Sequence, residues 1–153
     1  DIGAGTGFFT LLMAQQVGPK GRVYAVDIAK NFVDAIVLRA KDEELSNITG
    51  VVNDQHSVQL PPNSIDLAFI SDTYHHFEYP GSMLRSIHSA LKAGGDLVII
   101  DFRRVAESAS SWVLGHVRAG EQEVLKEVEA SGFEMIEQLD FMQTQYYLRF
   151  RKK

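Results

Sequence analysis

Two adjacent histidines, His75 and His76, are the side chains of this 153-residue chain best suited to moving a proton. Imidazole titrates near neutral pH, so it can act as a general base under physiological conditions. Adjacent side chains in an extended loop point apart, so we predict that at most one of the two faces a substrate, and we favour His75. The alternative is that the pair has a structural role.

Metal binding is a second interpretation of the same segment, because Asp72, His75 and His76 all carry good metal ligands. No other residue clearly completes such a set, so we predict no metal. The chain contains no cysteine, which excludes disulfides, thiolate metal sites and thiol nucleophiles.

A glycine-rich segment near position 1 points to a bound ligand. In Asp1-Ile2-Gly3-Ala4-Gly5-Thr6-Gly7, glycine occupies every second position ahead of an apolar helical run. Glycine tolerates positive φ and has no Cβ, so such a loop can turn tightly and lie against a ligand. A helix that starts there also directs backbone N–H groups and its positive dipole end at the ligand.

Asp27 lies 20 residues after Gly7, at the end of a predicted strand, where a carboxylate can accept hydrogen bonds from both hydroxyls of a ribose. The glycine spacing narrows the ligand class. A dinucleotide fingerprint has its third glycine three positions after the second, and Phe8 stands there instead. No lysine of the P-loop type follows the loop. Phe8 and the segment around Asp54 make a nicotinamide-dependent oxidoreductase the less favoured alternative.

Apolar periodicity predicts the elements that position these residues. We predict helices over 8–17, 30–44, 80–92 and 121–130, with Gly94-Gly95 ending the third, and strands over 1–2, 22–27, 48–53, 65–71, 96–102, 133–139 and 145–151. Strands that alternate with helices indicate an α/β fold with a doubly wound parallel sheet. Ligands bind at the carboxyl ends of such strands, so residues 3–7, 27–28, 53–54 and 71–76 should line one rim. Residues 103–119 are irregular, and His116, Trp112 and Arg118 there either line a substrate pocket or pack a loop.

Composition predicts one globular domain over residues 1–153, with 45% hydrophobic residues. The formal net charge of −5 argues against nucleic-acid binding, and we interpret the short basic segment 149–153 as a solvated strand end. No apolar run is long enough for a membrane span, so we expect no membrane association and a cytoplasmic location. The chain starts at Asp1 without Met, so we expect that an N-terminal segment is missing from it.

The chain resembles the class I S-adenosylmethionine-dependent methyltransferases that act on small molecules. The resemblance covers nearly all 153 residues, in the family's order, through the segments 1–7, 26–28, 53–54, 60–69, 71–77 and 91–97. It implies a Rossmann-like, three-layer αβα fold with a seven-stranded, mostly parallel sheet in the order 3-2-1-4-5-7-6 and the last strand antiparallel. It also implies S-adenosyl-L-methionine as cofactor, S-adenosyl-L-homocysteine as product and a small-molecule methyl acceptor.

The resemblance also implies roles for single residues. Gly3, Gly5 and Gly7 would line the methionine part of the cofactor, Asp27 would bind the ribose, Ile28 would pack on the adenine and Asp54 would accept from its amino group. Asp1, Ala4, Asn53 and Ser71 would complete the cofactor site. The alternatives are a purely structural glycine turn, Ile28 as core and Asp54 as a loop cap. Methyl transfer is a direct displacement that needs positioning, with His75 or His76 as base where the acceptor must lose a proton. A non-catalytic module that binds the cofactor or a partner is the remaining alternative.

Overall fold

A computed structural model describes residues 1–153, and the chain forms two compact units, Asp1–Asp54 and Gln55–Lys153. The first unit contains α1 (Phe8–Val17), β1 (Val23–Asp27), α2 (Lys30–Asp42) and β2 (Ile48–Val52). The second contains β3 (Ile65–Ser71), a 3₁₀ turn (Tyr74–His76), α3 (Pro80–Ala90), β4 (Leu91–Phe102), α4 (Ser111–His116), α5 (Glu121–Ala130), β5 (Phe133–Leu139) and β6 (Gln145–Lys152). The expectation of one domain over the whole chain stays a prediction.

In the first unit β1 and β2 form a parallel pair, in a register that places Asp27 opposite Val52. β1 is a nearly continuous buried run, as expected for a parallel strand covered on both faces. Both α1 and α2 pack against these strands. The buried side chains of α2, Val33, Ile36 and Ala40, follow helical spacing, and Ile36 joins the core of this unit.

The second unit contains a four-stranded sheet in the order β3-β4-β6-β5. β3 and β4 are parallel, whereas β6 runs antiparallel to both β4 and β5. α3 packs against β4 and α5, and α5 packs against β5. The core is apolar, and its fully buried side chains include Ile70, Leu84, Ile87, Leu97, Ile99, Val128, Phe133, Leu148 and Phe150.

The alternation predicted for the last strand is confirmed. Tyr146, Leu148 and Phe150 of β6 are buried, whereas Arg149 and Arg151 reach the opposite face. Both arginines bind the buried carboxylate of Asp96 on β4, with Arg149 Nε 2.8 Å from Oδ2 and Arg151 Nε 2.9 Å from Oδ1. The basic segment at the end of the chain therefore forms ion pairs with Asp96 within the sheet, and is not only a solvated strand end.

The predicted seven-stranded sheet is corrected to six strands in two sheets. The first predicted strand is a single bridge between Ile2 and Val26, because the glycine loop follows Ile2 at once. The partial orders β2-β1 and β3-β4-β6-β5, with β6 antiparallel, agree with the two ends of the predicted order.

Gly94-Gly95 do not end the third helix. α3 ends at Ala90, and Leu91 is already paired with Ile65 as part of β4. The register then shifts, so that Asp96 lies opposite Leu67 and the residues between form a bulged turn in which Gly94 has φ +71°. Glycine is common both at helix ends and in strand bulges, because both use positive φ, so the sequence alone did not distinguish the two.

No helix of the structure combines the length and the apolar character that crossing a bilayer requires.

Candidate functional site

The glycine loop in the first unit is shaped by three left-handed residues. Gly3, Gly5 and Gly7 have φ values of +73°, +53° and +81°, a region that other residues adopt at a cost. A Cβ on Gly7 would also lie 2.7 Å from Cγ1 of Ile36 on α2. The third glycine is therefore required by the close approach of α2 as well as by the turn itself.

Asp27 holds this loop against the end of β1. Its side chain is buried, Oδ2 accepts a hydrogen bond from the Gly5 amide at 2.8 Å, and Oδ1 accepts one from the Ala29 amide at 2.8 Å. A carboxylate has about four acceptor positions. Two acceptor positions of Asp27 therefore take no part in these bonds. This number matches the two hydroxyl donors of a ribose.

The amides of the glycine loop are used within the protein. Gly3 and Ala4 donate to the carbonyl of Val26 at 2.8 and 3.1 Å, and Gly7 donates to the carbonyl of Ala4 at 2.8 Å. Since the Gly5 amide binds Asp27, the loop offers shape and close backbone approach more than free donors. The sequence-based picture of amides pointing at the ligand is corrected for these positions.

The remaining cofactor candidates of the first unit lie around Asp27. The Asn53 amide donates to the Asp27 carbonyl at 3.2 Å, and Asn53 Nδ2 donates to the Asp54 carbonyl at 2.8 Å. The Asp1 carbonyl accepts from the amide of Val26, the neighbour of Asp27, at 2.8 Å, and the Asp1 side chain accepts from the buried hydroxyl of Thr10 at 2.5 Å. Residues 3–7, 27–28 and 53–54 are thus brought together, as predicted.

Ile28 is 57% exposed, although it directly follows a buried strand. The alternative that it belongs to the core is therefore wrong. An exposed apolar side chain beside the Asp27 carboxylate is suited to packing on a flat aromatic group.

Ser71, His75 and His76 belong to the second unit, and their predicted place on the same rim as the glycine loop stays a prediction. Ser71 is the last residue of β3, opposite Ile100 of β4. Asp72 follows with φ +52° and accepts a hydrogen bond from Gln145 Nε2 at 2.5 Å. Burial raises the pKa of Asp72, with the hydrogen bond from Gln145 opposing the rise.

His75 is buried and fixed by Asp101, a residue that sequence reasoning missed. The Asp101 carboxylate accepts from the His75 amide at 3.0 Å and from the Phe102 amide at 2.7 Å, and lies 2.8 Å from His75 Nδ1. A carboxylate can only accept, so we infer that Nδ1 of His75 donates its proton to Asp101. In that tautomer Nε2 is the acceptor nitrogen of the ring. The available signal was a carboxylate near the carboxyl end of an apolar strand.

His76 lies beside His75 and does not point away from it. The two ring centroids are 4.1 Å apart. The prediction of opposed side chains is wrong because residues 74–76 form a 3₁₀ turn, in which successive residues are rotated by about 120° and not by 180°. The exposed ring is that of His76, whereas His75 is only 7% exposed.

A third imidazole joins this pair from a distant segment. His116, the last residue of α4, has its ring centroid 5.2 Å from that of His75 and 5.0 Å from that of His76. It also stacks on the exposed ring of Trp112 at 4.6 Å. We call His75, His76 and His116 the histidine cluster.

The surroundings of His76 favour its uncharged ring. Burial lowers the pKa of His76, and the charges that His75 and His116 would carry lower it further. A neutral imidazole keeps a lone pair, so His76 can accept a proton or bind a metal near neutral pH.

Arg118, grouped with His116 and Trp112 at the sequence level, lies elsewhere. Its guanidinium forms two hydrogen bonds with Glu127, of 2.7 and 2.9 Å, and Glu127 also accepts from the Tyr74 hydroxyl at 2.7 Å. This network connects the segment after α4 to α5 and to the turn that carries the two adjacent histidines. Through Glu127, Arg118 is therefore linked to Tyr74, the first residue of the turn that carries His75 and His76.

Comparison with known proteins places the chain among methyltransferases. The methyltransferase domain family model matches residues 1–149. Demethylmenaquinone methyltransferase of Geobacillus sp. (strain WCH70) is 26% identical over 101 residues, which are 66% of this chain and 43% of that protein. The ubiquinone/menaquinone biosynthesis C-methyltransferase UbiE of Hydrogenovibrio crunogenus is 30% identical over 108 residues, 70% of this chain and 42% of that protein. The chain thus spans less than half the length of these curated relatives.

Solved structures share the α/β fold. A SAM-dependent methyltransferase from Aquifex aeolicus has a TM-score of 0.89 at 23% identity, covering 99% of this chain and 79% of that one. The [4+2]-cyclase SpnF has a TM-score of 0.86 at 18% identity, covering 99% and 73%. At such identities the likeness shows the fold alone. SpnF is named a cyclase, so proteins with this fold are not all named methyltransferases.

Proposed function

We propose that this chain, which belongs to the methyltransferase domain family, transfers a methyl group to a small-molecule acceptor. The cofactor is S-adenosylmethionine, as in the SAM-dependent methyltransferases that share the fold. The observation that carries the proposal is the buried Asp27 carboxylate, fixed by the Gly5 and Ala29 amides with acceptor positions to spare.

In this proposal the first unit binds the cofactor. Asp27 accepts from the ribose hydroxyls, Ile28 packs on the adenine and Asp54 accepts from the adenine amino group. Gly3, Gly5 and Gly7 allow the methionine part to approach the backbone. The positive φ values of the loop and the exposure of Ile28 support these roles.

We further propose an aromatic acceptor that carries a hydroxyl group. One curated relative is named a demethylmenaquinone methyltransferase, and another is named a ubiquinone/menaquinone biosynthesis C-methyltransferase. The second unit presents Trp112, 54% exposed, stacked on His116. Exposed aromatic rings next to polar groups are suited to binding a flat, partly polar molecule.

The reaction is a displacement at the methyl carbon. A new bond forms from the acceptor to the methyl group, the sulfur–methyl bond breaks with its electron pair staying on sulfur, and S-adenosylhomocysteine leaves. An acceptor hydroxyl or ring carbon loses one proton in the process. His75 is buried with Nδ1 held by Asp101, so we assign positioning to His75 and proton removal to the exposed ring of His76.

Incubation of the chain with S-adenosylmethionine and a panel of hydroxylated aromatic acceptors tests the proposal. We expect S-adenosylhomocysteine and methylated acceptor in equal amounts, and turnover lowered at least tenfold in His76→Gln. The matched control is His56→Gln, because His56 is also exposed and stacked, on Tyr79 at 4.1 Å. Tight cofactor binding without turnover on any acceptor would instead identify a non-catalytic binding module.

A further inference from the structure

We propose that the histidine cluster binds a divalent transition-metal ion, with zinc the best match. One ring nitrogen from each of His75, His76 and His116 lies within 4.8 Å of the other two. This revises the sequence-based expectation of no metal. His116 is 40 positions from His76, so only the folded chain brings the third ligand into place.

The distances suit a site that tightens around an ion. Zinc binds imidazole nitrogen at about 2.0–2.1 Å, so ligand atoms of a tetrahedral site lie roughly 3.3 Å apart. Each pair here must close by about 1.5 Å at most. His76 and His116 are exposed and lie on a 3₁₀ turn and at a helix end, so their rings have room to rotate.

The surroundings of His75 are those of a metal ligand. Metal-bound histidines usually donate their second ring N–H to a carboxylate, which fixes the tautomer and the ring. Asp101 occupies that place, 2.8 Å from Nδ1, and is itself held by the His75 and Phe102 amides. His75 Nε2 is therefore presented as a fixed ligand atom.

The charges around the cluster favour a cation. Asp101 and Asp72 are the carboxylates that act on His75. The cation Arg118 is drawn to Glu127 by two hydrogen bonds. The buried Asp101 thus places negative charge next to His75, and the rings of His76 and His116 are exposed to solvent.

Three neutral nitrogen ligands select zinc, copper, nickel or iron over magnesium or calcium, which prefer oxygen. With three protein ligands, one coordination position is open to water or to an oxygen ligand. An acceptor hydroxyl bound there would lose its proton to solvent more easily, because the metal would lower the pKa of that hydroxyl. This last role depends on the proposed function, whereas metal binding does not. With the ion bound, His76 would act as a metal ligand and not as the base.

Two titrations of the tag-free chain test the proposal. Calorimetry measures the binding of Zn²⁺, and tryptophan fluorescence measures the binding of Co²⁺. Trp112 is the only tryptophan and stacks on His116, so its emission reports on this site. We expect one zinc ion per chain with micromolar affinity, and quenching of Trp112 by Co²⁺ at the same stoichiometry. His116→Gln and His76→Gln should each weaken binding at least tenfold, while His56→Gln binds as the unchanged chain does.

The variants are chosen so that folding does not obscure the result. His76 and His116 are exposed, and thermal melts of both variants should match that of the unchanged chain. Absence of zinc binding, or equal affinity in folded His76→Gln and His116→Gln, would overturn the proposal. Neither measurement requires methyl-transfer activity, so failure of the metal site and failure of the proposed function are distinguishable.

Discussion

Asp27 illustrates how one side chain connects fold and ligand binding. Its position after the glycine loop was readable from sequence, because the end of a parallel strand is where such a carboxylate acts. Its bonds to Gly5 and Ala29 were not readable, because they depend on how the loop turns back on the strand. The same carboxylate therefore holds the loop, and under the proposed function its remaining acceptor positions bind the ribose.

Ile28→Ser tests the adenine contact at the residue scale. Ile28 is 57% exposed, so the melting temperature should change little. Loss of apolar contact with adenine is worth about 1 kcal/mol at ~25 cal/mol per Å², which predicts roughly fivefold weaker S-adenosylhomocysteine binding in a calorimetric titration. Leu38→Ser is the control, since Leu38 is 62% exposed on α2. Equal losses of affinity in both variants would refute the adenine contact.

Asp101→Asn tests the support of His75. The variant keeps one acceptor oxygen and replaces the other by an NH₂ group, so a buried donor loses its partner. We expect the free energy of unfolding in urea to fall by about 1–3 kcal/mol. Asp66→Asn serves as the control, because the Asp66–Lys92 pair is exposed and such pairs contribute little. If the two variants were equally stable, Asp101 would not hold the turn.

At the scale of elements, apolar periodicity predicted most helices and strands, and their ends were predicted best next to residues such as Gly and Pro. The predicted bounds of α1, β3, α5 and β5 are confirmed, and those of the other elements differ by a few residues. α4 was missed, although Ser110 caps it by accepting from the Val113 amide at 3.2 Å. A helix of six residues is too short for periodicity to show, and that omission also hid the position of His116.

Gly7→Ala should destabilise the junction between the glycine loop and α2. The substitution adds left-handed strain of roughly 1–2 kcal/mol and a clash with Ile36, so we expect the free energy of unfolding to fall by about 2–4 kcal/mol. Gly94→Ala is the matched control, because Gly94 has φ +71° but nothing within 4 Å of an added Cβ. The two variants are compared by urea unfolding. A Gly7→Ala loss no larger than the control would contradict the close approach.

The Asp96 network predicts a pH dependence of stability. The hydrogen bond from Arg151, aided by Arg149 and opposed by burial, lowers the pKa of Asp96 below its ordinary 3.8. Asp96 therefore binds a proton more tightly in the unfolded chain than in the folded chain. The stability that ionised Asp96 contributes is fully present above pH 3.8 and is lost as the pH falls through the lowered pKa of the folded state.

Asp96→Asn should therefore lower the melting temperature more at pH 7 than at pH 3. Thermal melts of both proteins across this range measure the difference. Asp66→Asn again provides the control, and a gap that stays constant with pH would show that the charge of Asp96 is not what stabilises the sheet.

At the scale of the whole molecule, the predicted cofactor residues concentrate in the first unit and the histidine chemistry in the second. The motifs were found because cofactor binding uses neighbouring residues of the chain at fixed spacing. The histidine cluster was found only in part, since His75 and His76 are adjacent but His116 and Asp101 come from other elements. Side chains that meet only through packing leave no spacing signal.

The central claim is that this chain binds S-adenosylmethionine through Asp27. Calorimetric titration of S-adenosylhomocysteine into the full chain, with NAD in parallel, tests it most directly. Hydrogen bonds to a charged partner contribute roughly 1.5–3 kcal/mol each, so folded Asp27→Ala should bind S-adenosylhomocysteine about 10–100-fold more weakly. The exposed Asp34→Ala should bind it as before, and NAD should not bind. Unchanged affinity in folded Asp27→Ala, or preferential binding of NAD, would contradict the claim.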